Sequence, residues 1–145
     1  MIEAENLVKH FGPVTAVDGV TFHVNSGEVL GFLGPNGAGK STTMQMVTGF
    51  LPMDQGRVAI AGHSLDAEPI LARSKIGYLP ENAPMYPEMT VAGFLNFIAE
   101  MRDYTGSGKR GAVDRAVQTC FLESVVYQTI DTLSRGFKRR VCLAQ

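Results

Sequence analysis

GPNGAGKS, Gly34 to Ser41, fits the pattern G-x-x-x-x-G-K-[ST]. Glycines let a backbone double back on itself, so successive N–H groups from Asn36 through Gly37, Ala38, Gly39 and Lys40 to Thr42 face one concavity. A helix beginning near Lys40 adds its N-terminal partial positive charge at the same place. Lys40 then reaches the β- and γ-phosphates of a nucleotide, and the Ser41 hydroxyl is placed to ligate Mg2+. The flanks suit the motif. EVLGFL, Glu28–Leu33, reads as a buried strand before it, and Lys40 to about Gly49 reads as a helix after it. From average residue usage, a chance match in a chain this long has a probability on the order of 1%.

Outward from the loop, Ile2–Phe11 and Val20–Val24 read as strands separated by the turn-prone Gly12-Pro13. Asp54-Gln55-Gly56 reads as a turn before RVAIAG, where Val58 and Ile60 share a face at period two. A short helix is expected at Ile70–Ser74 and a strand at Ile76–Leu79. Beyond Pro80 the texture changes to the proline-rich ENAPMYPE. Thr90 is the expected N-cap of a helix carrying Val91, Phe94, Leu95 and Ile98 at i, i+3, i+4, i+7. Val113, Ala116, Val117, Cys120 and Phe121 repeat that spacing in a second helix. TGSGKRG, Thr105–Gly111, carries a Gly-Lys pair but follows a helix, and is expected to be a flexible turn.

The chain has 145 residues, 45% hydrophobic and 19% charged, which suits a folded domain with a real core. Lys+Arg 13 against Asp+Glu 14 gives a net charge of −1, so no global basic excess points to nucleic acid. Cys120 and Cys142 form neither a CxxC pair nor a zinc spacing, and reduced thiols are expected. MIEAENLVKHF lacks a signal-peptide core and no run approaches 18 apolar residues, so a cytoplasmic chain is expected.

The chain closes on LSRGFKRRVCLAQ, Leu133–Gln145. Ser134 and Gly136 open a helix whose first turns hold Arg135, Lys138, Arg139 and Arg140. Cations there oppose the helix dipole by about 0.3–1 kcal/mol each at a surface. A solvated basic face and a phosphate-facing helix start both fit the cluster taken alone. GPNGAGKSTT, then IGYLPE at Ile76–Glu81, then this segment, in that order, resemble the nucleotide-binding domain of ATP-binding cassette (ABC) transporters. The resemblance covers essentially the whole chain. IGYLPE with an LS-x-G-aromatic signature resembles bacterial exporters of the ABC-2 or gliding-motility type. No NKxD motif follows the loop, against a GTPase.

The resemblance implies an α/β P-loop fold with an antiparallel β subdomain and a helical subdomain. Residues 1–81 would form the β-rich loop core, 82–133 the helical subdomain and 134–145 the start of the signature helix. It implies ATP and Mg2+ as cofactors, held by Gly34, Pro35, Asn36, Gly37, Ala38, Gly39, Lys40, Ser41 and Thr42. Phe11 matches the aromatic that stacks on adenine, commonly Tyr; an apolar strand end is the plainer alternative. Glu81 falls where the family has Gln, beside Mg2+ and the attacking water, and a carboxylate there still suits that hard cation. Lys40 and Glu81 are thus the implied catalytic residues, and Ser41 and Glu81 the metal ligands. Ser134 and Gly136 would meet the γ-phosphate held by a second copy, in a head-to-tail pair. Arg135 and Phe137 depart from the commonest signature, LSGGQ.

The implied partner is an integral membrane permease, met through Glu81–Thr90, with the protein peripheral on the cytoplasmic face of the inner membrane. No nucleic-acid partner is expected. A soluble ABC ATPase acting on ribosomes or DNA is the second reading, and a regulatory nucleotide-binding remnant the third. In the family, a strand ending in Asp-Glu and a switch His follow the signature helix. Neither lies within these residues, and His10, His23 and His63 all precede the signature. The chain is therefore expected to be a fragment, truncated before that strand, and to hydrolyse ATP negligibly and be poorly stable alone.

Overall fold

The computed structural model describes residues 1–80 and 84–145. They divide into two compact units, Met1–Tyr78 and Leu79–Gln145.

The first unit is built on a four-stranded antiparallel sheet in the order β2-β1-β3-β4. Its strands are β1 (Ile2–Phe11), β2 (Val14–Val24), β3 (Gln55–Ile60) and the short β4 (His63–Ser64). β2 starts at Val14, six residues before the expected Val20, because Phe11 and Val14 pair directly across Gly12-Pro13. Gly12, at φ 57, supplies the positive dihedral that a two-residue hairpin loop with glycine first requires. β1 is bulged: Asn6 sits at φ 50, so Ala4 and Leu7, three apart, both turn into the core. Gly56 makes room for that bulge, since a Cβ there would lie 2.5 Å from the Asn6 carbonyl oxygen. Hence Gln55-Gly56, expected as a turn, belongs to β3. Val58 and Ile60 do share the buried face.

Helix α1 (Lys40–Val47) lays Met46 and Val47 on this sheet, and α2 (Pro69–Ser74) adds Ala72. Two expected strands do not form. Glu28–Leu33 is irregular, with Val29 95% and Leu33 93% exposed, and Ile76–Leu79 is irregular too. A strand exists only through its ladder, and among the described residues none pairs with either run. Phe32 still packs edge-on against Phe22 of β2, with ring centroids 5.4 Å apart.

The second unit is helical: α3 (Val91–Met101), α4 (Gly106–Thr119) and α5 (Arg135–Ala144), with short 3-10 turns at Glu123–Val125 and Ile130–Thr132. Thr90 caps α3 as expected, its hydroxyl oxygen accepting the Gly93 N–H at 3.1 Å. Phe94, Leu122, Val91, Ile130 and Val141 are essentially sealed from water. Each such side chain stabilises the unit by roughly 1.5–3 kcal/mol through its burial.

Thr105–Gly111, expected as a flexible turn, is instead the start of α4. Its first turn is held by the Lys109 N–H on the Thr105 carbonyl and by the ion pair of Lys109 with Glu100 of α3. Phe121 lies past the end of α4 rather than on its buried face. It stands at φ 55, 70% exposed. The N–H of Leu122 returns to the Val117 carbonyl and that of Phe121 to Gln118, the Schellman pattern of helix ends.

Candidate functional site

The loop between Leu33 and α1 is shaped by one contact with β2. A Cβ on residue 39 would lie 2.4 Å from the carbonyl oxygen of Ala16 and 3.2 Å from Val17, so only glycine fits. Gly39 also stands at φ 80, in the left-handed region, as does Gly37 at φ 86. From Gly39 the chain enters α1 at once: the Thr43 N–H and hydroxyl both donate to the Gly39 carbonyl, at 2.8 and 2.9 Å. The N–H groups of Lys40, Ser41 and Thr42 occupy the first turn, where a helix offers them no acceptor of its own. No side chain caps them.

The Lys40 ammonium folds back over this loop and donates to the carbonyl oxygens of Gly34 and Pro35, at 2.7 and 2.6 Å. Gly34, Pro35, Asn36, Gly37, Ala38 and Ser41 are exposed, and Gly39, Lys40 and Thr42 are partly so. A cation and a helix start thus share one open loop, a chemistry suited to a polyanion. The nine expected loop residues are contiguous here, whereas Glu81, the other expected metal ligand, lies outside the described residues. Among the described residues no cluster of three or more His, Cys, Asp and Glu is assembled for a metal.

Phe11 closes the β1–β2 hairpin, half exposed. Its cross-strand partner Val14 lies two residues before Ala16, about 7 Å along the strand from the carbonyl on which Gly39 rests. Beneath the hairpin end, Lys9 is almost buried and its ammonium meets Asp54 at 2.7 Å. The Asp54 carboxylate also accepts the His10 backbone N–H at 2.7 Å. These two hydrogen bonds, Lys9 first, hold the Asp54 pKa below the ordinary carboxylate range. Sequence reasoning missed this pair; a Lys between Val8 and His10 on β1 and an Asp after the loop helix gave no hint that they meet. The three histidines each face a carboxylate, Asp54, Glu3 and Glu68 in order.

In the helical unit, the segment before α3 runs beside residues 126–131. Val91 and Ala92 donate to Gln128 and Val126, while Ile130 and Asp131 donate to Met89 and Pro87. That pairing delivers Leu133, buried, and then Ser134 at the start of α5. Ser134 is the N-cap, its hydroxyl oxygen accepting the Phe137 N–H at 3.3 Å. Gly136 sits in the exposed first turn. A Cβ there would meet nothing closer than the Ser134 oxygen at 3.8 Å, so the fold itself does not require glycine.

The basic cluster is partly absorbed by its own unit. Lys138 donates to the Asp131 carbonyl at 2.9 Å. Arg140 lies over the Phe137 ring, 5.3 Å from its centroid, and donates to the Phe121 carbonyl at 3.4 Å. Two cations unfavourable to the helix dipole thus find acceptors outside the helix. Both cysteines are free and buried, and burial pushes each thiol's pKa up. No helix among the described residues is long and apolar enough to cross a membrane.

The family model described as ABC transporter matches residues 17–145. The linearmycin resistance ATP-binding protein LnrL of Bacillus subtilis is 38% identical over 97% of this chain and 45% of its own length. The probable multidrug ABC transporter ATP-binding protein YbhF of Escherichia coli is 37% identical over 99% of the chain and 25% of its own length. The lipopolysaccharide export ATP-binding protein LptB of Haemophilus influenzae is 36% identical, and the chain covers 61% of it. Among solved structures, an ATP binding subunit of an ABC transporter superposes with a TM-score of 0.82 at 26% identity, over 99% of this chain and 60% of that one. The protein cbiO1 from Clostridium perfringens superposes with a TM-score of 0.84 at 27% identity, over 99% and 59%. The chain therefore spans between a quarter and about three fifths of these relatives, and its α/β architecture is the P-loop fold of ABC ATPases.

Proposed function

The chain belongs to the ABC transporter family, and on that premise we propose that it holds the nucleotide of an ATPase driving export across a membrane. The observation that carries this reading is the Lys40 ammonium folded onto the Gly34 and Pro35 carbonyls at the start of α1. Those carbonyls hold the cation where incoming phosphate oxygens would exchange for them. The Lys40 ammonium makes a charge-assisted bond in either state, and a phosphate oxygen that itself carries negative charge is a better acceptor than a neutral carbonyl, so the exchange favours ATP.

In this account residues 34–42 bind the β- and γ-phosphates through backbone N–H groups and Lys40, and Phe11 stacks on the base. Mg2+ would be held by Ser41, Glu81 and the phosphates, and it supplies charge neutralisation at the γ-phosphate. Ser134 and Gly136 face the γ-phosphate of a second copy's nucleotide, so that ATP draws two copies together head to tail. Turnover belongs to the whole protein, because the water-activating carboxylate of the resembled family lies on a strand after the signature helix. This stretch alone is expected to turn ATP over negligibly. We place the protein on the cytoplasmic face of the membrane, docked to a permease through residues 81–90. The exporter reading draws on relatives named for drug resistance and lipopolysaccharide export.

Gly136 offers the sharpest test. Glycine in a helix costs about 0.5–1 kcal/mol relative to alanine, and here a Cβ has space. Gly136→Ala is therefore expected to raise the thermal stability of the full chain. Under the proposal it also weakens ATP-driven pairing, measured by light scattering at saturating ATP, because the backbone no longer approaches the phosphate. Stabilisation with undiminished pairing would remove the role given to Gly136. Copurification with ribosomes in place of a membrane protein would overturn the exporter reading.

A further inference from the structure

We propose that Lys9 and Asp54 form a positioning pair for nucleotide-base recognition, setting the Phe11 ring rather than touching phosphate. The inference rests on the stacking role proposed for Phe11. Lys9 and Phe11 are two apart on β1, and although the register with β2 shifts between Lys9 and His10 the two side chains meet. The Lys9 ammonium stands 5.9 Å from the centroid of the Phe11 ring, inside the range in which a cation is held by an aromatic face. Lys9 itself is fixed: it is almost buried, and Asp54 takes its ammonium at 2.7 Å.

The same carboxylate fixes the backbone next to the ring. Its second oxygen accepts the His10 N–H at 2.7 Å, and the Asp54 N–H donates to the Val8 carbonyl at 3.0 Å. The residues on both sides of Lys9 are thus tied to one side chain and its peptide. Fraying of β1 back to Val8 would break an ion pair and two hydrogen bonds. A cation at one side of the ring leaves the half-exposed remainder for a flat partner. The arrangement orders an aromatic in advance, so that a base stacks on it without first immobilising the strand end.

Tripolyphosphate separates this role from phosphate binding, because it presents the same charged groups without a base. Dissociation constants for ATP and for tripolyphosphate are measured on the full chain by titration calorimetry. Lys9→Met is expected to weaken ATP two- to five-fold, the scale of an exposed cation–π contact, and to leave tripolyphosphate unchanged. Lys9→Arg, which keeps both cation and ion pair, restores the ATP value. Asp54→Asn gives the same selective loss as Lys9→Met and serves where the methionine variant does not fold. Equal loss for both ligands, or no loss for either, would overturn the proposal. Phe11→Ala reports on the reading beneath it: if that variant leaves the ATP-to-tripolyphosphate ratio unchanged, base stacking by Phe11 fails as well.

Discussion

Gly39 rests against the carbonyl oxygen of Ala16 so closely that a Cβ on residue 39 would stand 2.4 Å away. This contact fastens the glycine loop to β2 and sets where α1 begins. Gly39→Ala must either displace β2 or push the loop outward, and it also places a side chain at φ 80. It is expected to destabilise the first unit by about 2 kcal/mol or more and to abolish ATP binding. Gly37→Ala is the control. That glycine also has positive φ, but a Cβ there meets nothing within 4 Å. It should cost about 1 kcal/mol of backbone strain alone. Urea titrations of the two variants check the ranking.

Phe121 presents the opposite case, a side chain where the backbone favours its absence. It closes the Schellman turn after α4 at φ 55, and its ring is mostly in water. Asparagine tolerates that conformation better, and the carbonyl that accepts from Arg140 belongs to the backbone. Phe121→Asn is expected to stabilise the helical unit by about 0.5–1 kcal/mol, seen as a raised thermal midpoint. A lowered midpoint would mean that the ring contributes packing.

Asp54 gives the first unit a defined acid response. Its folded pKa lies below that of an ordinary carboxylate, through the Lys9 hydrogen bond first and the His10 N–H second. A depressed carboxylate contributes stability that is present above its unfolded pKa and is lost as pH falls through the folded value. Stability should therefore be level with respect to this group above about pH 4 to 5 and fall on further acidification. Asp54→Asn is expected to lower stability at neutral pH and to flatten that acid limb. An acid limb unchanged in the variant would assign it to other carboxylates.

What could be read in the sequence was local chemistry. The glycine loop, the Thr90 cap and the Ser134 cap each depend on a handful of adjacent residues, and each is where the pattern puts it. What misled was pairing. EVLGFL at Glu28–Leu33 has the composition of a buried strand, yet composition supplies no hydrogen-bond partner. Thr105–Gly111 reads as a turn because its Gly-Lys pair follows a helix rather than a strand, but a first helical turn needs few internal bonds and Lys109 ties it to α3. The bulge at Asn6 shifted β1 out of simple alternation, and it depends on Gly56, some fifty residues away. The Lys9–Asp54 pair was hidden for the same reason, since only the paired strands bring the two together.

The central claim is that residues 34–42 grip a triphosphate through Lys40, and equilibrium ATP binding to the wild-type chain and to Lys40→Ala tests it most directly. Losing a charge-assisted bond should weaken binding about ten- to a hundred-fold, with far-UV circular dichroism unchanged because the Lys40 side chain is not part of either core. Equal affinity in the two proteins, or no ATP binding by the wild type, would contradict the account.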